Sequence, residues 1–246
     1  MNRILEICVD SLESALIAQQ AGVDRIELCS CLEVGGLTPD PALFLLTKEK
    51  LKIPIHVLIR PRIGDFVYTE VEKTTIKKGI EFFKQHQADA IVVGALDTSC
   101  ELDVDFLSRM QEAAYPLPVT FHRAFDLVPD PIKAFGQINT MGIERVLTSA
   151  QQPVVTDGIE LLYDLLKQQS NTQVIAGGGV KSENVAKLLA IGITEIHASA
   201  RKPNPSLMSS SRLSFSNLKP DVYRYADYDE IVNLRNQLND NQSHAS

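Results

Sequence analysis

Residues Met141 to Thr148 read MGIERVLT: a glycine that stops a helix, a one-residue spacer, a charged pair and then a short apolar run. The same arrangement returns in AGVDRIEL (Ala21 to Leu28), QADAIVV (Gln87 to Val93) and IGITEIHA (Ile191 to Ala198). Three of the four place glycine at the stop, where a left-handed residue ends a helix without a Cβ penalty. Each apolar run has the length of a buried strand and too few residues for a helix. A unit that ends a helix and begins a buried strand, repeated along the chain, belongs to an alternating α/β fold with parallel strands.

Outward from these units, about eight strands are expected, centred near Ile7, Ile26, Val57, Val92, Thr120, Val146, Ile175 and Ile196. Amphipathic stretches separate them, among them Ser11 to Ala21, Val71 to Lys84, Asp103 to Ala114, Thr156 to Lys167 and Ser182 to Ala190, with apolar residues recurring at helical spacing. Asp40 before Pro41, Asp130 before Pro131, and Ser182 after a glycine run read as helix N-caps. Eight strand-helix units in 246 residues predict a (β/α)₈ (TIM) barrel in one domain, residues 1–238, followed by a polar tail, 239–246. A doubly wound open sheet fits less well, because no GxGxxG follows the first strand and no long linker divides the chain.

Composition is that of a globular protein, 44% hydrophobic and 22% charged. A net charge of -7 argues against a nucleic-acid partner. No apolar stretch approaches a membrane span, and Met1 to Asp10 lacks the basic start and hydrophobic core of a signal peptide. Four cysteines do not make a disulfide framework, so free thiols and a cytoplasmic location are expected.

Two strands end in charge. Ile55 to Asp65 reads IHVLIRPRIGD and Val119 to Asp126 reads VTFHRAFD, placing Arg60, Arg62 and Asp65, and His122, Arg123 and Asp126, where a buried strand has no structural need of them. Such a cluster either closes the sheet end with salt bridges or builds a site. Alternation along strands makes Glu6 and Cys8 inward, with Glu27, Cys29, His56, Leu58, Arg60, Thr120, His122, Glu195, His197 and Ser199. A barrel interior built for packing carries Val, Ile and Leu. Many ionisable groups together point instead to a polar pocket at the C-terminal face.

The loops at that face suit anions. Gly177, Gly178 and Gly179 follow the seventh strand, and Ser199 and Arg201 follow the eighth, the place where barrels often hold phosphate. Thr148 and Ser149 are expected alongside, with Arg60 or Arg62 across the mouth and Arg123 as a further anion-binding residue. If the protein is an enzyme, Glu27 or His122 would act as a base while Arg60 and Asp65 complete the site. The lysines lie on helices and loops, apart from Lys202 just beyond a strand end, which argues against a Schiff-base aldolase. The long polar connection from Pro203 to Asp227 leaves the same face before a last helix near Tyr228 to Leu238, and would serve as a lid or a contact in a homo-oligomer.

The sulfur atoms suggest another class of function. Cys8 and Cys29 are inward at the ends of neighbouring strands and Cys31 lies two residues on, so two or three thiols could meet at a soft ion such as Cu(I). Free cysteine is as often a small buried hydrophobe. Cys100 sits apart after the fourth strand.

The segments LEICVDSLESA (Leu5 to Ala15), DRIELCSCLEVGGLTP (Asp24 to Pro39), IRPRIGDFVY (Ile59 to Tyr68), PLPVTFHRAFD (Pro116 to Asp126), ERVLTSA (Glu144 to Ala150), AGGGV (Ala176 to Val180) and EIHASAR (Glu195 to Arg201) resemble the CutC family, named for copper homeostasis. That resemblance implies a (β/α)₈ barrel, copper handling in the cytosol and Cu(I) bound by cysteines. By position these are Cys8 and Cys29, with Cys31 a local addition. It weakens after Arg201, where Leu207 to Asn217 reads LMSSSRLSFSN in place of the family's usual Met and basic, aromatic run. The arginines, carboxylates and glycine loop exceed what a copper carrier needs. An enzyme acting on a phosphorylated or carboxylated small metabolite is therefore kept as the alternative, and a scaffold with a structural polar end as a third class.

Overall fold

The computed structural model describes residues 3–205 and 222–240. Eight parallel strands close into a barrel in chain order: β1 (Ile4–Val9), β2 (Arg25–Leu28), β3 (Ile55–Leu58), β4 (Ala90–Val93), β5 (Val119–Phe121), β6 (Arg145–Thr148), β7 (Gln173–Gly177) and β8 (Glu195–Ala198), with β8 pairing back to β1. Seven helices occupy the connections: α1 (Leu12–Gln20), α2 (Pro41–Lys50), α3 (Glu70–Gln85), α4 (Val104–Ala114), α5 (Pro131–Met141), α6 (Ile159–Leu166) and α7 (Val185–Ala190). The fold is the (β/α)₈ barrel that the repeat predicts, and all eight expected strand centres fall inside strands.

Local chemistry explains the boundaries. Asp40 accepts from the Ala42 and Leu43 N–H groups, and Asp130 accepts from Lys133, each with proline in the first turn behind it. Thr69 and Glu72 form a reciprocal capping box at the start of α3. At the helix-to-strand stops Gly22, Gly142 and Gly192 sit at φ of 82, 75 and 99°, and Gln87 occupies the equivalent stop at 67°. One expected start is corrected. Helix α7 begins at Val185, not near Ser182, and has only six residues; the Ser182 N–H and Oγ instead donate to Glu230 at 2.7 and 2.8 Å.

Strand alternation divides two environments. Outward residues such as Leu5, Ile7, Ile26, Ile55, Val57, Ile91 and Phe121 pack with Phe44, Phe83, Phe135 and Leu162 of the helices in one continuous apolar layer. Each fully buried side chain of this kind contributes about 1.5–3 kcal/mol. Inside the barrel the apolar cluster is small, consisting of Cys29, Leu58 and Val92 with Leu32 against them. Ala90, Leu147 and Ile175 share the inward parity, and the other inward positions include Glu6, Arg25, Glu27, His56, Thr120, Glu195 and His197.

After β8 the chain forms an antiparallel arm, β9 (Arg201–Pro205) with β10 (Val222–Ala226), and then α8 (Tyr228–Asp240). The arm is tied to the barrel by Asp227 N–H to Ala200 O at 2.7 Å and by Ala226 N–H to Ser14 Oγ at 3.2 Å. The divergent stretch Leu207 to Asn217 and most of the expected polar tail lie outside the described residues. Among the described residues no helix is long and apolar enough to cross a membrane.

Candidate active site

Glu6 sits at the middle of the barrel interior, opposite Arg25 on β2 and His197 on β8. Arg25 donates to Glu6 and to Glu195, both at 2.5 Å, while Arg145 Nε stands 3.4 Å from Glu195. His197 Nδ1 lies 2.7 Å from Glu6 Oε1, and His56 Nδ1 lies 3.2 Å from Oε2 but off the line of a hydrogen bond. Burial works to raise the Glu6 carboxyl, yet Arg25, His197 and His56 together hold it well below the usual range. The same carboxylate neighbours raise Arg25 against its own desolvation. Arg25 and Arg145 were not expected from the sequence. Arg25 carries a legible signal, standing two residues before Glu27 with the same inward parity.

Above this layer, at the C-terminal mouth, is a cavity of about 390 Å³. Cys8, Glu27 and His197 line it from below, Leu58, Phe66, His122 and Leu147 from the sides, and Arg60, Arg123, Arg201 and Arg224 from the rim. Glu27 accepts no hydrogen bond from any described residue. Burial pushes its carboxyl up to about 7, against the pull of His197 and with a further push from Glu6. His197 moves the other way from ordinary burial: desolvation would lower it, but the Cys8 thiol within hydrogen-bonding reach, and the Glu6 and Glu27 carboxyls, set it well above the usual range. His122 is driven down to about 3 by burial and by Arg60.

The two histidine rings occupy space left by glycines on adjacent strands. A Cβ at Gly94, just after β4, would stand 2.5 Å from His122 Nδ1, and one at Gly177 would stand 3.1 Å from His197 Cβ and 2.7 Å from Leu147. Contacts under 3.0 Å force the neighbour to move, and the 3.1 Å approach to His197 is tighter than most packed side chains make.

The expected site residues separate into those that reach the cavity and those that do not. Glu27, Arg60, His122, Arg123, Gly178, Gly179, Ser199, Arg201 and Cys8 line it. Arg60 is a brace, donating to Val34 O and Gly36 O at 3.1 Å and to Gly64 O at 2.9 Å with its guanidinium over the Phe66 ring. Arg62 binds Glu72 and the Val67 carbonyl and lies over Tyr68, and Asp65 accepts from Arg62 and from Val67 N–H; both stand outside the cavity. Thr148 and Ser149 are buried and turned to the Asp126 carboxylate. Gly177 supplies room for His197, as above. Arg123 bridges Asp126 and Ser149 at 2.8 Å each. Arg201 donates to Glu33 at 2.9 Å, with its Nε buried and unpartnered. Neither the Gly178 nor the Gly179 N–H donates to a described residue. Arg224 was missed by sequence reasoning, because it arrives from β10 with no local motif to mark it.

All four cysteines are free. Cys8 donates to Ala198 O at 3.6 Å and Cys29 to Val9 O at 3.4 Å, whereas Cys31 is exposed at the head of a 3-10 turn. Burial, then Cys8 and Glu27, push the Cys29 thiol well above its usual range. Among the described residues the group of three possible ligands with donor atoms within 4.8 Å of one another is Glu6, Glu27 and His197, not the thiols. Glu6 is already paired with Arg25, so a cation there would meet a buried guanidinium.

The profile of the CutC family matches residues 3–202. The chain is a member of the CutC family. Relatives include the copper homeostasis protein cutC homolog of Homo sapiens, 42% identical over 83% of this chain and 76% of that protein, and a family protein CutC of Pasteurella multocida, 43% identical over 80% and 82%. The crystal structure of a putative copper homeostasis protein CutC from Streptococcus agalactiae is similar at a TM-score of 0.77, with 28% identity over 80% of this chain and 98% of that one. The (β/α)₈ barrel and the link to copper homeostasis implied by the CutC resemblance therefore stand at the level of the family.

Proposed function

We propose that the mouth of this CutC barrel is the active site of an enzyme that moves a proton on a small phosphorylated or carboxylated metabolite. One observation carries the reading: an uncommitted carboxyl, Glu27, sits beneath a cavity whose rim presents Arg123, Arg201 and Arg224 together with the unpaired Gly178 and Gly179 amides. The cavity has the volume of a metabolite site. Guanidiniums and free amides suit an anion, and a carboxyl that titrates near neutrality suits general acid-base chemistry. Inorganic phosphate, followed by calorimetry, is expected to bind, and Arg201→Ala to weaken it about tenfold, a loss of about 1.4 kcal/mol. Phosphate affinity unchanged by Arg201→Ala and by Arg123→Ala would remove the anion from this mouth.

The second reading is the Cu(I) site that the family name implies, and the closeness of Cys8 to Cys29 supports it. Both thiols lie at the ends of adjacent strands, Cys8 opens on the cavity, and Cys8 is near enough to raise the Cys29 thiol. Cys31, exposed and apart, adds little. Cu(I) titration of the wild type against the Cys8→Ser, Cys29→Ser double variant decides it: equal affinities would dismiss these thiols as ligands. Either activity belongs in the cytoplasm, where four free thiols stay reduced. The arm β9–β10 at the rim is a place for contact in a homo-oligomer.

A further inference from the structure

Arg123 is the rim guanidinium whose orientation is fixed from behind. Its Nε–H donates to Asp126 Oδ2 and its Nη2 to Ser149 Oγ, both at 2.8 Å, so the side-on edge of the fork is occupied. Asp126 is buried and itself held, because its carboxylate also accepts from the Thr148 hydroxyl and from the Ser149 and Gln151 N–H groups. The Ser149 hydroxyl accepts from Arg123 and keeps its one proton for Asp126 at 3.0 Å or Gln152 O at 2.7 Å. The remaining guanidinium N–H groups, both on Nη1 and the outer one on Nη2, have no acceptor among the described residues. They form the end-on edge of a side chain that is 49% exposed and lines the cavity.

A backbone donor stands beside that edge. Gly178 O accepts the Val155 N–H at 2.9 Å, and across a trans peptide the following N–H points opposite to the carbonyl, so the Gly179 N–H is turned away from Val155. Gly178 and Gly179 both line the cavity. A Cβ added to Gly178 would stand 3.7 Å from Arg123 Cζ, which puts the guanidinium against this turn, and 2.7 Å from Ser149 Cβ, which leaves space for glycine alone.

We propose that the end-on edge of Arg123 and the Gly179 amide form a phosphate subsite, that Asp126 is the positioning residue for Arg123, and that the substrate is a phosphate monoester and not a carboxylate. This rests on the anion site proposed above and narrows its ligand. A carboxylate has two oxygens in one plane, and an arginine fork satisfies both. A phosphate monoester has three terminal oxygens, so one remains for the amide after two have met the fork. Asp126 offsets part of the Arg123 charge but fixes the fork before the anion arrives, which lowers the ordering cost of binding. Thr148 and Ser149 act one step behind the ligand, holding the carboxylate that holds the arginine.

The test uses glycerol 3-phosphate and glycerate at neutral pH, with calorimetry for affinity and ¹⁵N-labelled arginine for the contact. Glycerol 3-phosphate is expected to bind at least about tenfold tighter than glycerate, and Arg123→Lys, which keeps the charge and loses the fork, to weaken it about tenfold. In the wild type it should shift the Arg123 Nη signals and leave the Nε–H, held by Asp126, in place. An arginine with a structural role alone would show no such split. Asp126→Asn should weaken binding about tenfold; if that variant fails to fold, Ser149→Ala, which removes only the second anchor, should weaken it about threefold. Full affinity in both variants that loosen Arg123 overturns the role of Asp126. Full affinity in Arg123→Lys, or a ligand that moves Nε–H in place of Nη, overturns the subsite, while a loss in Arg201→Ala would leave the anion reading standing. Glycerate binding as tightly as glycerol 3-phosphate overturns the monoester. Failure of both probes to bind overturns the anion site, and this inference with it.

Discussion

His197 Nδ1 donates to Glu6 Oε1 across 2.7 Å, joining the last strand of the barrel to the first through two side chains 191 positions apart. The direction of the bond follows from the carboxylate, which Arg25 keeps ionised and which can only accept.

Removing that carboxylate leaves Arg25 and His197 buried beside each other with like charge. Glu6→Ala is therefore expected to lower stability by about 3–5 kcal/mol, the range for breaking a buried ion pair from one side. Urea unfolding followed by circular dichroism measures it; a loss below about 1 kcal/mol, the size of a surface pair, would show that the network is solvated.

The Glu27 carboxyl gives stability a slope with pH. Its folded pKa, about 7, exceeds the unfolded value near 4.3, so between the two the native state retains a proton that the unfolded chain has lost. That contribution is fully present below about pH 4.3, declines as pH rises and is gone above about 7. Glu27→Gln should flatten the decline, and a ¹³C titration of the carboxyl should show its midpoint near neutrality. A midpoint in the ordinary carboxylate range would refute the reading.

Gln87 holds a left-handed conformation at φ 67° in the position that glycine fills in the three sister turns, and its side chain is exposed. Gln87→Gly should stabilise the protein by about 1 kcal/mol, raising Tm by about 2–4 °C for a chain of this size. Calorimetry reads it directly. A fall in Tm would mean that the glutamine makes compensating contacts.

Arg60 clamps the loops after β2 and β3 through the carbonyls of Val34, Gly36 and Gly64. Hydrogen bonds to a charged group contribute about 1.5–3 kcal/mol each at most, so Arg60→Ala should release both loops. Amide exchange in residues 32–37 and 63–67 is expected to accelerate while that of the barrel strands stays near the wild-type rate. Uniform acceleration across the chain would instead make Arg60 a determinant of global stability.

Strand number, order and inward parity were legible because they depend on a local period that the sequence carries at every strand, as in the alternation of Ile7 with Glu6 and Cys8. Partner choice was not legible. Thr148 and Ser149 read as anion ligands by position, yet Asp126 from the preceding loop reaches them first. Arg62 reads as a mouth residue, yet Glu72 of α3 is within its span. Arg224 comes to the rim from a strand beyond the barrel, and no spacing rule connects it to Arg201. In each case the deciding contact joins elements whose relative placement a one-dimensional pattern does not encode.

The room made by Gly94 and Gly177 bears on how missense variants in this protein are interpreted. Neither position contributes a functional group, and a change to alanine would pass most measures of chemical conservatism. Gly94 nevertheless holds open the seat of the His122 ring, so a methyl group there displaces a neighbour's chemistry while its own residue looks innocuous, whereas at Gly177 the methyl meets Leu147 first and crowds His197. A variant at Gly94 belongs in the same class as loss of His122, and an inventory of polar residues would never flag it.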